Sequence, residues 1–363
     1  MFLKTVMERN QPLVRLGIEW QQNGVILPDT YLLDYDTILE NARSIKQAGD
    51  ANGVQNFFML KQIGRNPLIA RALTDMGYVG AVCVDFREAL TMVENQIPLG
   101  NVGHLVQIPR AALKKILRAK PVIVTVYTLE KAREISAVCT ELGLHQKLML
   151  RVLGEGDMLY SGQYGGFELQ ELDSAVRAIE AMPNVEVGGV CSFPCFLYDE
   201  AAQDILPMPN LRTVQTAAEM LRARGYRDLM LNTPSATCTH SIPMIAAAGG
   251  THGEPGHGLT GTTPYHAGHP DAEERPGYLY VSEVSHNLGD KAYCYGGGHY
   301  RRGHMKNALV GTTPENAKVV PVLPPDDSSI DYHFELQQNC PVSAAAVMAF
   351  RTQFFVTRSR VAV

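Results

Sequence analysis

A lysine at the end of an apolar run can serve as a nucleophile instead of a surface charge. Lys61 closes the run QNFFMLK (55–61) and is followed by Gln62-Ile63-Gly64-Arg65. Desolvation at a strand end lowers an ammonium's pKa and frees its lone pair for attack on a carbonyl. The competing assignment is a lysine whose stem lies along the strand while its charge stays in water. No lysine lies between Lys147 and Lys291, and Lys120 and Lys147 stand where strands begin. Covalent amine chemistry, if the chain performs it, therefore falls to Lys61.

A second group of residues is suited to anions. In THGEPGHGLTGTTP (251–264), glycines at 253, 256, 258 and 261 let successive backbone N–H groups converge on a phosphate. Such loops also serve as plain turns. The neighbouring segment LMLNTPSATCT (229–239) adds Ser235, Ala236 and Thr237 as hydroxyl and N–H donors. Of the 11 histidines, eight (240, 252, 257, 266, 269, 286, 299, 304) fall within 65 residues, which raises the question of a metal. Their spacing matches neither HExxH nor a Cys/His finger, and no Asp-rich cluster accompanies them, so no metal is expected. Finally, AYCYGGGHYRRGHM (292–305) sets three glycines among Tyr293, Tyr295 and Tyr300. Arg301 and Arg302 could hold a carboxylate there, or the segment is a glycine bulge with surface arginines.

The elements that must position these residues alternate regularly. Strand-like runs at 55–61, 78–85, 101–107, 121–127, 147–154, 185–193, 228–232 and 250–254 are separated by helical patterns such as NPLIARALTDMG and LEKAREISAVCTELG. Most of the runs are continuously aliphatic or β-branched, as strands covered on both faces are. Eight such units predict a (β/α)8 TIM barrel, with GTHGE its weakest strand. Asn66 before Pro67, and Thr128 before LEKA, read as helix caps. The longest loops after strands, 154–168 and 193–208, are where a barrel enzyme meets its substrate.

Beyond PDAEERPG near residue 270 the texture changes to period-2 alternation with Pro/Gly turns. GYLYVSEVSHNL, KAYCYGG, NAKVVPVLP, SSIDYHFEL, SAAAVMAF and RTQFFVTRS predict a mainly antiparallel β domain. The start, MFLKTVMERNQPLVRLGIEW, reads as one amphipathic helix, and TYLLDYD (30–36) as a strand able to join that β domain. The expected division is 1–37 (helix and strand), 38–270 (barrel) and 271–363 (β domain). The end, RVAV, has no polar tail, which leaves room for a further strand after it.

Composition sets outer bounds. At 363 residues, about two domains are expected from roughly 150 residues each. With 32 basic and 37 acidic residues the net charge is −5, which argues against a nucleic-acid partner. No apolar run approaches the roughly 18 residues that span a bilayer, and the N-terminus lacks the pattern of a signal peptide. Seven cysteines, an odd number without framework spacing, point to a reduced, cytoplasmic setting.

Taken together, these motifs resemble the alanine-racemase-like, fold type III family of pyridoxal-phosphate enzymes over most of the chain. LKQIGRNP, GHLVQIP, PSATCT, EPGHGLTG, YGGGHYRRGH and DDSSIDY are similar to its YhfX-type branch. The resemblance implies pyridoxal 5'-phosphate as cofactor, with Lys61 as the Schiff-base lysine at the end of the first barrel strand. Glu254-Pro255-Gly256-His257 matches the eighth-strand segment that contacts the pyridine nitrogen and phosphate, with Ser235 and Thr237 as further phosphate ligands. Cys294–Tyr300 is similar to the Gly-Tyr-x-Asp-Gly-Tyr motif of the racemases and makes Tyr295 the base opposite Lys61. The activity implied is amino-acid racemisation in a homodimer that shares its active sites. A decarboxylase, D-amino-acid aldolase or dehydratase on the same fold is the alternative; a non-catalytic cofactor binder or a metal-dependent barrel hydrolase stands behind them. Three departures bear on the choice. Glu254 replaces the arginine of alanine racemases, and Ser192 stands where a histidine usually packs near the ring, a role open to His104. Arg151 lies near the position of a modified lysine in racemases.

Overall fold

A computed structural model describes residues 2–300, 302–323, 325–354 and 359–363. It divides into two compact units whose chain segments interleave. One holds Met1–Asn41, Lys61–Gly64 and His257–Val363, and the other Ala42–Leu60 and Arg65–Gly256.

The second unit is a closed parallel barrel. Counting Gln55–Asn56 and Phe58–Met59 as one run broken at Phe57, eight strands follow in chain order. They continue through Ala81–Cys83, Leu99–Val102, Ile123–Val126, Gln146–Leu153, Val185–Cys191, Met230–Asn232 and His252–Gly253. The last closes on the first, with His252 opposite Gln55 and Gly253 opposite Asn56. The expected barrel is therefore present, its weakest strand reduced to two residues. Ala81–Cys83, Leu99–Val102 and Ile123–Val126 are buried throughout, which is why their residues are mostly apolar without alternation. The helix caps hold as read: Asn66 accepts from the N–H groups of Leu68 and Ile69, and Thr128 accepts from that of Lys131. The loop after the sixth strand contains a hairpin that the sequence reading missed, Phe196–Asp199 paired with Asp204–Pro207. Four residues per strand give too little periodicity to recognise.

The first unit is built on antiparallel strands. Tyr278–Leu288, Lys291–Tyr295, His333–Leu336, Lys318–Leu323, Asn307–Gly311 and Ala345–Met348 form a closed ring of neighbours. Thr30–Leu33 joins Tyr278–Leu288 as expected, and Arg360–Ala362 pairs with it in parallel. Asn307–Gly311 was not anticipated, because NALVG is short and its Gly and Asn read as turn. RTQFFVTRS fares differently: residues 351–354 form no strand, and 355–358 lie outside the described residues.

The single N-terminal helix is corrected to two, Leu3–Arg9 and Gln11–Gln22. Pro12 cannot continue a helix from before it, and the Asn10 side chain caps the second by accepting from the N–H of Leu13. Their apolar faces supply Phe2, Val6, Leu13 and Ile18 to one core with Leu32, Leu279, Val281 and Val347 of the sheet. Each such side chain contributes about 1.5–3 kcal/mol by its burial. Among the described residues no helix is long and apolar enough to cross a membrane.

Candidate active site

In the barrel unit, the strand C-terminal ends gather a buried polar network around Glu254. Asn232, ending the seventh strand, donates its side-chain amide to Glu254 Oε1 at 2.5 Å. Asn101 of the third strand donates to the same oxygen at 3.3 Å, and Thr125 of the fourth donates its hydroxyl to Asn101 Oδ1 at 2.7 Å. All four side chains are buried. Glu254 Oε2, by contrast, has no hydrogen-bond partner among the described residues, and His104 Nε2 stands 3.7 Å from it. One carboxylate oxygen is thus fixed by two amide donors, while the other faces His104 across 3.7 Å. His104 is fully buried; its Nδ1 lies 3.9 Å from Cys191 Sγ, and its ring packs edge-on against Phe193. Burial pushes the Cys191 thiol up to about 12, so it is neutral.

The loops after the last strands hold the anion-suited residues. Ser235 donates its hydroxyl to the Phe196 carbonyl at 2.8 Å. The buried Thr237 hydroxyl accepts from the Glu254 N–H at 3.1 Å. This second bond ties the loop after the seventh strand to the eighth strand where Glu254 sits. Arg151, fully buried on the fifth strand, donates to the Tyr127 hydroxyl at 2.8 Å and to the Gln163 carbonyl at 2.9 Å. Ser192 is buried and accepts from Asn210 at 3.1 Å, so it braces the loop after the fifth strand through Asn210, which also holds Met158.

In the other unit, Lys61 is almost wholly buried, and its carbonyl accepts from the Phe354 N–H at 3.0 Å. Close to it lies His257, whose Nδ1 pairs with Thr262 Oγ1 at 3.3 Å and whose Nε2 accepts from Arg351 Nε at 3.4 Å. Burial holds the His257 imidazole well below its ordinary range, and the charges of Arg351 and Lys61 add to this. It is therefore neutral, in keeping with its role as an acceptor from Arg351. Tyr295 ends its strand with 39% of its surface exposed, and its hydroxyl makes no hydrogen bond among the described residues. The three glycines beside it permit close approach: a Cβ on Gly298 would lie 2.3 Å from the Tyr280 ring, and Tyr31 donates to the Gly298 carbonyl. Arg301 lies outside the described residues.

Four of the eight clustered histidines serve separate local ends. His240 pairs with Asp204 at 2.7 Å, His252 with Gln55 at 3.1 Å and His266 with Glu274 at 3.0 Å, while His286 stacks on Tyr293. Among the described residues no three His, Cys, Asp or Glu side chains gather as a metal site would require. Asn101, Thr125, Tyr127 and Asn232 were missed as site residues. Their signal was present, since each is a polar residue in or beside an otherwise apolar strand.

Comparison with known proteins agrees with this architecture. The family model "Alanine racemase, N-terminal domain" matches residues 33–264, and "YhfX-like, C-terminal domain" matches 279–363. "Uncharacterized protein YhfX" of Escherichia coli (strain K12) is 43% identical over 99% of this chain and 93% of that protein. Among solved structures, D-threonine aldolase from Filomicrobium marinum superposes with a TM-score of 0.66 at 16% identity, over 90% of this chain and 87% of its own. The corresponding values for an alanine racemase of Clostridium difficile 630 are 0.61, 14%, 89% and 86%. Those for D-threo-3-hydroxyaspartate dehydratase from Delftia sp. HT23 are 0.63, 15%, 89% and 89%. The chain belongs to the alanine-racemase-like fold type III family, in its YhfX-like branch, and pyridoxal phosphate is the cofactor of that family.

Proposed function

We propose that the protein is a pyridoxal-phosphate enzyme acting at the α-carbon of an amino acid, with racemisation as its leading reaction. The observation that carries the cofactor assignment is the buried Glu254 carboxylate with one oxygen left without a donor. A ring N–H of pyridoxal phosphate would supply a donor to this oxygen, and the residues present fit the group. When bound, pyridoxal phosphate supplies an electron-withdrawing ring that acidifies the substrate's α-proton.

This chain's own groups would then act as follows. Lys61 would carry the cofactor and, once released from it, take or return a proton on one face of the α-carbon. Tyr295 would serve the opposite face. Ser235, Thr237, Gly256 and His257 would hold the phosphate, His257 through its main chain because its ring is engaged by Thr262 and Arg351. Glu254, fixed by Asn101 and Asn232, would hold the ring-nitrogen proton. The exposed Tyr295 supports a homodimer in which this residue serves the partner subunit's site.

Glu254 itself favours a second reading. A carboxylate at the ring nitrogen strengthens the electron sink beyond what proton exchange needs, which suits a decarboxylase, aldolase or dehydratase. The test is to load the protein with pyridoxal phosphate, reduce it with borohydride and map the modified peptide by mass. A yellow protein labelled at Lys61, with no label in Lys61→Ala, is expected. A colourless protein that takes up no cofactor, or a label elsewhere, would sink the assignment.

A further inference from the structure

The backbone of Tyr295 is fixed, while its side chain stands exposed at a strand end. The Ser282 hydroxyl donates to the Tyr295 carbonyl at 2.6 Å, and the next N–H, that of Gly296, donates to the Tyr332 carbonyl at 2.8 Å. An exposed side chain on a fixed backbone still samples several rotamers unless another group lies against it. Among the described residues the ring that lies against Tyr295 is His333. The two are direct cross-strand partners, with ring centroids 5.8 Å apart and planes tilted by 32°.

His333 is backed in turn by His286, edge to face at 5.3 Å, and His286 stacks on Tyr293 at 4.9 Å. The two imidazoles come from the strands on either side of Lys291–Tyr295, so the four rings form one continuous support. A bulge is what brings His286 into it. Val284 faces Cys294, both buried, and strict alternation from there would turn His286 inward, opposite Ala292. The register shifts by one residue between Val284 and His286, which sets His286 on the outer face opposite Tyr293. There its Nδ1 pairs with the Ser285 hydroxyl at 3.0 Å. Burial lowers the His333 imidazole, and the charge of His286 adds to this, so His333 is an uncharged ring at neutral pH. Cross-strand ring contacts also stabilise sheets without any further role. The bulge speaks against that reading here, because it interrupts the ladder in order to re-aim a side chain, as bulges beside active sites do.

A proton carrier must be held within about 0.5 Å of its productive place. We propose that His333 is a positioning residue for Tyr295: its ring, supported by His286 and Tyr293, holds the phenol in the orientation from which the hydroxyl meets the substrate's α-proton. This rests on the role given to Tyr295 under Proposed function.

His333→Phe keeps a ring and His333→Ala removes it; each is made in the wild-type and in the Tyr295→Phe background. Protein loaded with pyridoxal phosphate is incubated in deuterated solvent with the D and L forms of the common amino acids, and α-deuterium uptake is read by mass. For the enantiomer that Tyr295 serves, His333→Ala is expected to lower kcat roughly ten-fold or more while KM stays within about two-fold. His333→Phe is expected to recover most of this loss, and in the Tyr295→Phe background His333→Ala is expected to change nothing further. Wild-type kcat in His333→Ala, no recovery in His333→Phe, or the same loss without the Tyr295 hydroxyl overturns the proposal and makes the four rings a sheet contact. Should His333→Ala not fold, His333→Gln takes its place under the same criteria. If wild type exchanges no amino acid, or Tyr295→Phe exchanges as fast as wild type, it is the reading under Proposed function that fails. Carbon-13 spectra of ring-labelled tyrosine in the cofactor-free protein then decide, with Tyr295 assigned by the signal lost in Tyr295→Phe. A ring fixed in wild type, mobile in His333→Ala and fixed again in His333→Phe supports positioning; a ring equally mobile in all three overturns it, as does one equally fixed.

Discussion

The residues that matter most here are polar groups in apolar company. Lys61 could be read from the sequence because it ends an aliphatic run, and Glu254 because glycines and a proline surround it. The groups that fix Glu254 were harder to see, since an asparagine inside LGNV or at the end of MLN has no meaning until the barrel places both beside one carboxylate. Arg151 shows the same limit: the sequence locates it on a strand but says nothing about the Tyr127 hydroxyl and Gln163 carbonyl that hold it. At Tyr295 the reading becomes testable by isotope exchange. Tyr295→Phe retains the ring and removes the proton carrier. Exchange of the α-proton into deuterated solvent is expected to fall at least 100-fold for one enantiomer and far less for the other, in line with the usual worth of a general base. Equal rates for both enantiomers in the variant and wild type would remove the two-base assignment.

At the scale of elements, the barrel's closing seam is its thinnest part. The eighth strand contributes His252 and Gly253, opposite Gln55 and Asn56. Side chains reinforce so short a ladder: His252 bonds Gln55 and Thr251 and stacks on Phe57 at 5.1 Å. Burial lowers the His252 imidazole to about 4, so the folded barrel holds it neutral. The unfolded chain protonates it below about 6.5, so it binds more protons than the folded form between those values. Stability should therefore decline as pH falls from about 6.5 towards 4, by roughly 2 kcal/mol at pH 5 from this residue alone. Urea unfolding at pH 7 and pH 5 measures this, and His252→Gln should show a flatter dependence, although lower stability at pH 7. An equally steep decline in the variant would assign the acid sensitivity to other groups. The sequence reading found this strand because the count of βα units required an eighth. It missed Asn307–Gly311 and the 196–207 hairpin because no count demanded them.

For the whole molecule, the proposed assembly makes activity depend on concentration. If Tyr295 serves a partner subunit's site, dilution below the dimer's dissociation constant should abolish turnover while each chain keeps its cofactor. Sedimentation velocity alongside activity tests this, and a fully active monomer would exclude the shared site.

The interleaving of the two units also bears on how the chain is made. Thr30 pairs with Arg360, so the first strand of the β unit leaves the ribosome about 330 residues before one of its neighbours. At roughly 5–20 residues per second, that delay is on the order of 15 seconds to a minute. The barrel unit, Ala42–Leu60 with Arg65–Gly256, is complete well before then and is free to fold. The apolar faces of the two N-terminal helices must wait, since Leu279, Val281 and Val347 are not yet synthesised. A nascent chain of this protein thus carries a sticky N-terminus ahead of a finished barrel, a state that a ribosome-associated chaperone would be expected to shield.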